Sequence, residues 1–479
     1  SFLASFLMFV YGWLRNDFAI MLGQILTYFI YIRNMQLQGD WQKLYQPLRY
    51  FLYLFPVLIF VYSYNNGLQD RQLLFQEAMP KGLLLFGVLA QIIFILRFVY
   101  QWLRSERAKI SYFPLGFWLL SLCDVLDVNF MEARIFITAR EMLQDGLWIL
   151  TRMNGAPRYE KPPLPTWITA AFGGIFGLEN VFFLRLAAAF FMLILLMNLY
   201  KLILHLGLNE RQSLLSVIIF ATGFSAILTG RDATWDIYTH AFMVCGLYYL
   251  FKLLEAKDKA WKCALFAGMF IGLSFMSKGP VSLYALLLPF LVAYGIVFGF
   301  RKNKAYTPAV LLILLVAVVF TIWWPTYIFL FDEQTAENIA ETETAAWLSN
   351  NVRPWYYYFD FFTETGIWTI PAFLSLLYPY IIKRVENPKL YKFTFWWIIV
   401  GLILLSLIPE KKKRYLFPIT IPLAVNTSFY FSVLHRYYST FSTKEIFPVK
   451  FHYSLLAGIC FLFPLSVFFI FKGQSNGVF

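Results

Sequence analysis

Apolar stretches, parted by short polar or basic segments, run from one end of this chain to the other. A helix needs about 20 apolar residues to cross the hydrocarbon of a bilayer. On that measure the pattern predicts crossings over 1–13, 18–33, 49–63, 82–102, 112–127, 181–204, 212–230, 236–254, 260–276, 281–300, 307–331, 366–382, 393–408, 415–434 and 453–471. That makes about four ahead of residue 112 and about eleven after it. The stretch 163–177 is apolar too, but prolines at 162, 163 and 165 and paired glycines break it. It is expected to lie along the interface as a short helix. The fold class is therefore an all-α polytopic membrane protein.

Composition excludes a soluble alternative. Of 479 residues, 60% are hydrophobic and 14% charged, and 53 Phe, 30 Tyr and 15 Trp make the chain 20% aromatic. Soluble domains carry about 25% charged residues. The net charge of +13 reads as topology, because basic residues collect in cytoplasmic loops. No basic run is interleaved with stacking aromatics as nucleic-acid binding requires. The cysteines Cys123, Cys245, Cys263 and Cys460 stand singly in apolar runs, the spacing of neither a disulfide framework nor a zinc knuckle. The chain opens on Ser1-Phe2-Leu3 inside an apolar stretch, and the natural start is expected upstream of it.

The tract from Arg104 to Lys109 anchors the cytoplasmic side. Alternation from there puts the basic loops near 33–49, 257–262, 301–304, 383–392 and 436–450 on that side. The acidic and proline-rich segments 128–180 and 332–365 then fall on the other side, with 231–235, 277–280 and 409–414. One outer loop opposes the bias: Glu410-Lys411-Lys412-Lys413-Arg414. Four cations on the translocated side suit an anionic partner such as a phosphate. Contact with lipid headgroups is the plainer alternative.

The outer segments carry the remaining candidates. From Glu132 the spacing is that of an amphipathic helix, with Glu132 in its first turn and Arg134 close behind. The plain reading is a helix lying on the membrane; the other is an acid placed for chemistry. Next, Arg158-Tyr159-Glu160-Lys161-Pro162-Pro163 would hold Glu160 and Lys161 on a stiff backbone, as an ion pair, a metal ligand with a cation, or an acceptor clamp. Arg231 precedes Asp232, Asp236 and His240, which recur every four residues and would share a helical face. His240 reads as a core histidine or as a ligand, and Glu160, Asp236 and His240 together have the donor set for a divalent ion. Lys278 stands in the tight turn Met276-Ser277-Lys278-Gly279-Pro280, where a snorkelling lysine is the alternative. No G-x-S-x-G elbow, P-loop or H-E-x-x-H is present. Any group transfer must therefore draw on a donor already activated in the membrane.

Taken together these elements resemble the GT-C glycosyltransferases of the family 39 type, the dolichyl-phosphate-mannose protein mannosyltransferases and the lipid A aminoarabinose transferases. The resemblance rests on Glu132-Ala133-Arg134, on Tyr159 to Trp167 with its Glu-Lys-Pro-Pro-Leu-Pro core, and on Arg231 to Asp236. Lys278-Gly279-Pro280, Pro354-Trp355-Tyr356-Tyr357 and Lys413 to Pro418 complete it, in family order over about 112–479. Many relatives place a presumed catalytic Asp where this chain has Met131, which leaves Glu132 as the best substitute and Asp127 as a weaker one. Two stretches before this, Ser5 to Asn34 and Gly82 to Leu122, are similar to the second and first halves of the lipid-A-disaccharide-synthase N-terminal-like membrane domain. Their swapped order implies tandem, incomplete copies, with residues absent near 121–127. The expected domains are 1–111 and 112–479.

The resemblance implies an inverting transferase at the periplasmic face of the inner membrane, moving a sugar from a polyprenyl-phosphate donor to a lipid A-like or protein acceptor. In it, Glu132 takes the acceptor's proton, and Arg134, Lys161 and Lys411 to Arg414 (Lys411, Lys412, Lys413, Arg414) hold the donor phosphate. Asp236, Glu160, Arg231, Lys278, Trp355, Tyr356 and Tyr415 orient substrate, and the loop 332–365, with Trp347 and Trp355 to Tyr358, covers the site. A flippase of lipid-linked sugars is the alternative from another class, favoured by the repeats at the N-terminus; a non-catalytic membrane scaffold is the third.

Overall fold

The computed structural model describes residues 128–458 apart from 179–180, 256–260, 301–306, 350, 438–440 and 443–444, together with a few isolated positions before 55. The predicted crossings before residue 128, most of the one over 453–471, Cys123, Cys460 and Asp127 lie outside the described residues, as does the side chain of Trp347. The chain divides into two compact units, Leu122–His452 and the remainder, and every candidate site residue belongs to the first.

The first helix of that unit, α1 (Phe130–Asp145), starts where the sequence places it. Asn129 caps it, its Oδ1 accepting from the amides of Met131 and Glu132 at 3.0 and 2.9 Å. Glu132 reaches back to the Asn129 amide, closing a capping box. Gly146, at φ 71°, ends the helix in the left-handed conformation that glycine adopts without strain. A two-residue hairpin follows, β1 (Arg152–Met153) on β2 (Ala156–Pro157). Its Asn154-Gly155 turn has positive φ at both positions, the mirror-image turn that matches strand twist. The Glu141 carboxylate accepts both turn amides, at 2.6 and 3.2 Å. The expected short apolar helix over 163–177 is α2 (Leu164–Phe176), with a proline in its first turn.

The bundle proper comprises α3 (Val181–His205), α4 (Glu210–Ala221), α5 (Phe224–Arg231), α6 (Trp235–Glu255), α7 (Trp261–Lys278), a π-helical turn Leu283–Leu287 running into α8 (Leu288–Val297), and α9 (Thr307–Phe331). After it come α10 (Glu333–Ser349), the short α11 (Thr369–Ser375) and α12 (Tyr378–Ile381), then α13 (Pro388–Leu407) and α14 (Phe417–Tyr437). Among the described residues five helices are long and apolar enough to cross a membrane: α3, α6, α9, α13, and α14 with the turn before it. The protein is an integral membrane protein. Helix α6 is the hub, with Ile237, Tyr238, Ala241, Met243, Val244 and Leu247 all buried. Helix α9 instead turns Leu311, Leu314, Leu315 and Val319 outward. It docks on α7 through Gly268 and Gly272. A Cβ at Gly268 would lie 2.8 Å from the Ile313 carbonyl, and one at Gly272 2.5 Å from the Phe320 Cβ. Small residues one turn apart are how helices approach closely in lipid.

Three expectations need correction. The single crossing over 212–230 is two helices, α4 and α5, meeting at 67°. Thr222 ends α4 and takes the indole N–H of Trp368 on its hydroxyl at 2.7 Å, while Gly223 restarts the chain extended. The segment 366–382 is not one continuous helix: Gly366 leaves helical geometry, and two helices of seven and four residues follow, parted at Leu376 and Leu377, each with a proline in its first turn. The first half of the acidic loop 332–365 is the regular helix α10, whose Glu, Ala and Gln are good helix formers.

Candidate active site

Polar side chains gather where α1, the starts of α3, α6 and α14, and the end of α7 meet. Glu132 is completely buried. Arg185, in the second turn of α3, donates Nε to Oε1 at 2.7 Å and a terminal nitrogen to Oε2 at 2.9 Å. The amide of Ala233 adds a third donor at 3.2 Å and that of Asn129 a fourth at 3.4 Å. Both carboxylate oxygens are thus occupied, and Glu132 ties α1, α3 and the link between α5 and α6 into one unit. A carboxylate in this state has no lone pair facing an incoming hydroxyl. The geometry commits Glu132 to this ion pair.

One link further on, the i, i+4 expectation divides. Asp232 ends α5 in extended conformation and α6 begins only at Trp235, so Asp232 does not share a face with Asp236 and His240. It turns toward the start of α1, where the Asn129 side-chain amide donates to its Oδ2 at 2.8 Å, while Arg231 grips Oδ1 at 3.0 and 2.9 Å. Its side chain stays about one-fifth exposed. Burial raises its pKa above the ordinary aspartate range, the Arg231 guanidinium opposing without cancelling it.

Asp236, in the first turn of α6, is paired with Lys278 at the last position of α7, and both are buried. Arg414 and Lys161 lie within electrostatic reach of Lys278, and Arg414 also of Asp236. The Tyr415 ring is the centre of this group, with Lys278, Arg414 and Lys412 at 5.5, 5.7 and 5.9 Å from its centroid. Its hydroxyl donates to Glu410 at 3.1 Å. The Arg414 Nε is buried with no hydrogen-bond partner among the described residues. Lys278 and Arg414 thus flank Asp236, Lys161 lies within reach of Lys278, and Glu410 joins the group through Tyr415; an anion entering here would relieve the repulsion among the cations.

The rest of the four-cation run disperses. Lys411 is buried and donates to the Ile408 carbonyl at 2.6 Å; Lys412 pairs with Glu410 and Lys413 with Asp360. The backbone explains it: an extended residue and a 3₁₀ turn, Lys413–Leu416, aim successive side chains apart. Of the four cations expected at a phosphate, Arg414 alone combines an unpaired buried N–H with the Asp236–Lys278 pair. The segment 351–360 is pinned beside this run. Val352 bridges Glu410, the Lys411 amide donates to the Asn351 carbonyl at 3.1 Å, and the Tyr358 hydroxyl accepts from the Lys412 amide at 3.1 Å. Trp355 and Tyr356 are about two-thirds and more than half exposed.

The proline-rich stretch is held by Arg158, which is buried and was not singled out by sequence. It donates to the Arg134 carbonyl and the Thr138 hydroxyl, each at 2.6 Å, lies over the Trp235 ring, and pairs with Glu160 at 3.5 Å. Arg134 itself stacks on Phe130 at 4.5 Å. Tyr159 donates to Asp332 at 2.9 Å, fastening the loop to the head of α10; burial, with that bond second, pushes its phenol up to about 12. Among the described residues no three His, Cys, Asp or Glu side chains gather as metal ligands. Glu160, Asp236 and His240 therefore do not form the expected divalent-ion site: Glu160 faces Arg158, Asp236 is taken by Lys278, and His240 packs its ring against Phe417 at 5.3 Å.

Residues 160–323 match the family described as dolichyl-phosphate-mannose-protein mannosyltransferase, and 1–36 with 86–126 match the lipid A biosynthesis N-terminal domain. Both resemblances read from the motifs are found. The undecaprenyl phosphate-α-4-amino-4-deoxy-L-arabinose arabinosyl transferase of Pseudomonas savastanoi pv. phaseolicola is 25% identical over 329 residues, 65% of this chain and 57% of that protein. Its namesake from Serratia proteamaculans is 26% identical over 318 residues, 61% and 53% of the two chains. The chain thus spans little more than half the length of these relatives. Crystal structures of ArnT from Cupriavidus metallidurans, in the apo state and bound to undecaprenyl phosphate, superpose with a TM-score of 0.55 at 20% identity. They cover 67% of this chain and 57–58% of that one. The membrane bundle has the ArnT fold.

Proposed function

We propose that this protein is a polyprenyl-phosphate-dependent glycosyltransferase that moves a sugar to a lipid A-like acceptor at the periplasmic face of the inner membrane. The observation that carries the reading is the gathering of Lys278 and Arg414 about Asp236, with Lys161 within reach of Lys278 and a buried Arg414 N–H that has no partner among the described residues. That is a seat for a monoanionic or dianionic headgroup at the end of a membrane bundle. The ionisable groups sit at helix ends, which speaks for chemistry at the membrane surface; a flippase would need them near mid-span. The names of the similar proteins supply the donor class, undecaprenyl phosphate.

In the reaction the acceptor oxygen attacks the anomeric carbon as the bond from that carbon to the phosphate oxygen breaks. The bonding pair leaves on the phosphate, where Lys161, Lys278 and Arg414 take up the growing charge. Displacement in one step inverts the anomeric centre. The acceptor's proton needs a carboxylate with an open edge. Glu132 and Asp236 are committed to buried ion pairs; Asp232 carries Arg231 on Oδ1 and Asn129 on Oδ2 but stays about one-fifth exposed, so Oδ2 keeps a free lone pair, and its raised pKa suits a proton acceptor. Asp232 takes the proton, and the Glu132–Arg185 pair fixes the helix that presents Asn129 to it. The test is transfer from an undecaprenyl-phosphate-linked sugar to lipid A by the purified protein. D232N should lower the rate by 10²–10⁴, the usual worth of a positioned base, while leaving undecaprenyl phosphate binding within about twofold. Full activity in D232N removes the base; no transfer by the unmutated chain removes the activity.

A further inference from the structure

Helix α14 leads from the candidate site at Arg414 to Tyr437, about 30 Å away at 1.5 Å per residue. At that far end, where α4 begins, α13 begins and α14 finishes, lies a cavity of about 680 Å³. Its walls include Arg211, Arg384, Arg436 and His435, with Glu386 as the single carboxylate among the described residues, and Leu215 and Phe431 form an apolar side.

The guanidiniums are not used up locally. Arg436 meets Glu386 at 3.3 Å, but both side chains are more than half exposed, and such a surface pair holds little. Arg384 stacks on Tyr380 and reaches Glu445 at 3.4 Å. Arg211, in the first turn of α4, is exposed and has no acidic partner among the described residues. With Arg384 offset by Glu445, Arg211 and Arg436 still face the one described lining carboxylate, Glu386, and leave the cavity net positive. Its rim then continues into an apolar rail. Arg211, Leu214 and Ile218 stand at i, i+3 and i+7 on α4, one face of the helix, and Leu214 and Ile218 are among the exposed large apolar side chains, 50% and 38%. Charge at the mouth with an apolar rail running down from it is complementary to one kind of molecule, an anionic headgroup with its acyl chain attached.

We propose that this cavity binds the phosphate headgroup of an anionic membrane phospholipid, with Arg211 and Arg436 on the phosphate and an acyl chain along Leu214 and Ile218. The site is separate from the transferase reading and stands without it. The shared chemistry, a phosphate on guanidiniums, would also admit free phosphate; the rail selects the lipid.

The experiment is native mass spectrometry of the whole purified chain, exchanged from detergent into equal phosphatidylglycerol and phosphatidylcholine, with inorganic phosphate as a competitor. The unmutated protein should retain phosphatidylglycerol, and each guanidinium should be worth about fivefold in that preference. R211Q/R436Q should bring the preference close to unity, and R211K/R436K should keep most of it. R211Q alone, on an exposed side chain, should lower it about fivefold and covers the case in which the double variant is not monodisperse. L214S/I218S should loosen the lipid while leaving the headgroup preference. An undiminished preference in both R211Q and R211Q/R436Q overturns the site. Displacement of the lipid by millimolar phosphate overturns the lipid assignment, leaving a free-anion site.

Discussion

Glu132 and Arg185, 53 residues apart in the chain, close a two-point ion pair with neither side chain more than 2% exposed. Charges taken out of water are held only while both remain. Removing one partner of a buried pair leaves the other stranded and costs about 3–5 kcal/mol, whereas replacing both by apolar groups is often neutral. E132Q should therefore lower the unfolding midpoint of the detergent-solubilised protein steeply, and E132L/R185M should recover most of the loss. A double variant as unstable as the sum of its singles would contradict the pairing. Activity should follow the same order, because the pair acts through the helix it fixes.

Part of this was legible in the sequence. Asn129 and Glu132 have capping-box spacing, so the start of α1 and the place of Glu132 in its first turn follow from local rules. Arg185 carried a signal as well: a lone arginine inside a 25-residue apolar helix must find an acid. What the sequence could not convey was that the acid is Glu132, since nothing local links them. The Asp232, Asp236, His240 series misled because counting by fours presumes an unbroken helix, and the chain is extended at Asp232. Hydropathy over 366–382 measured composition and overlooked two prolines and a glycine. The run at 411–414 read as one patch, yet its backbone sends the side chains to Ile408, Glu410, Asp360 and the Tyr415 ring.

That dispersal makes a contrast between neighbours. Lys413 is spent on Asp360 at the surface, whereas Arg414 has an unpaired buried N–H beside Lys278 and Asp236. Hydrogen bonds to a charged group are worth about 1.5–3 kcal/mol, or about 10–150-fold. R414Q should weaken binding of undecaprenyl phosphate by at least about tenfold, and K413Q by no more than about twofold. Equal effects at the two positions would mean that the whole run, rather than Arg414, meets the donor. Equilibrium binding of the labelled lipid in detergent measures both.

The pH dependence follows from Asp232. Burial raises its pKa above the ordinary aspartate value, and the neighbouring Arg231 lowers it. A base must be ionised to work, so kcat/KM should climb as pH rises through this pKa and then level off. The acidic limb belongs above the usual carboxylate range. R231Q removes the opposing charge, so its limb should move to higher pH, with the plateau reached later. A limb that stays in place in R231Q, or persists unchanged in D232N, assigns the titration to another group. For stability the sign is the reverse: a carboxyl raised by folding favours the folded chain below its unfolded pKa, and that contribution fades as pH rises through the folded value.

Packing between α7 and α9 gives a prediction free of any assumption about chemistry. Gly272 lies so close to Phe320 that a Cβ there would meet it at 2.5 Å, and Gly268 faces the Ile313 backbone at 2.8 Å. Phe320 can shift only if its own Cβ moves, which means moving the α9 backbone, and the Ile313 carbonyl cannot yield without doing the same. G272V should therefore separate the helices and cost about 1–3 kcal/mol, the usual toll of overpacking. Helix α9 is otherwise turned outward, with Ala309, Ile313, Trp324 and Ile328 its buried residues. Loosening it should also free the Trp324 indole from the Ile149 carbonyl, which it meets at 3.2 Å, and the Tyr159–Asp332 bond at the head of α10. The proline-rich loop that carries Glu160 and Lys161 would then lose two of its ties. G272V should thus depress donor binding together with the unfolding midpoint, although Gly272 touches neither donor nor acceptor. G458V, at a glycine whose added Cβ has no neighbour within 4 Å among the described residues, is the control and should change neither. A G272V variant with full stability and full donor affinity would show that α9 does not brace the site.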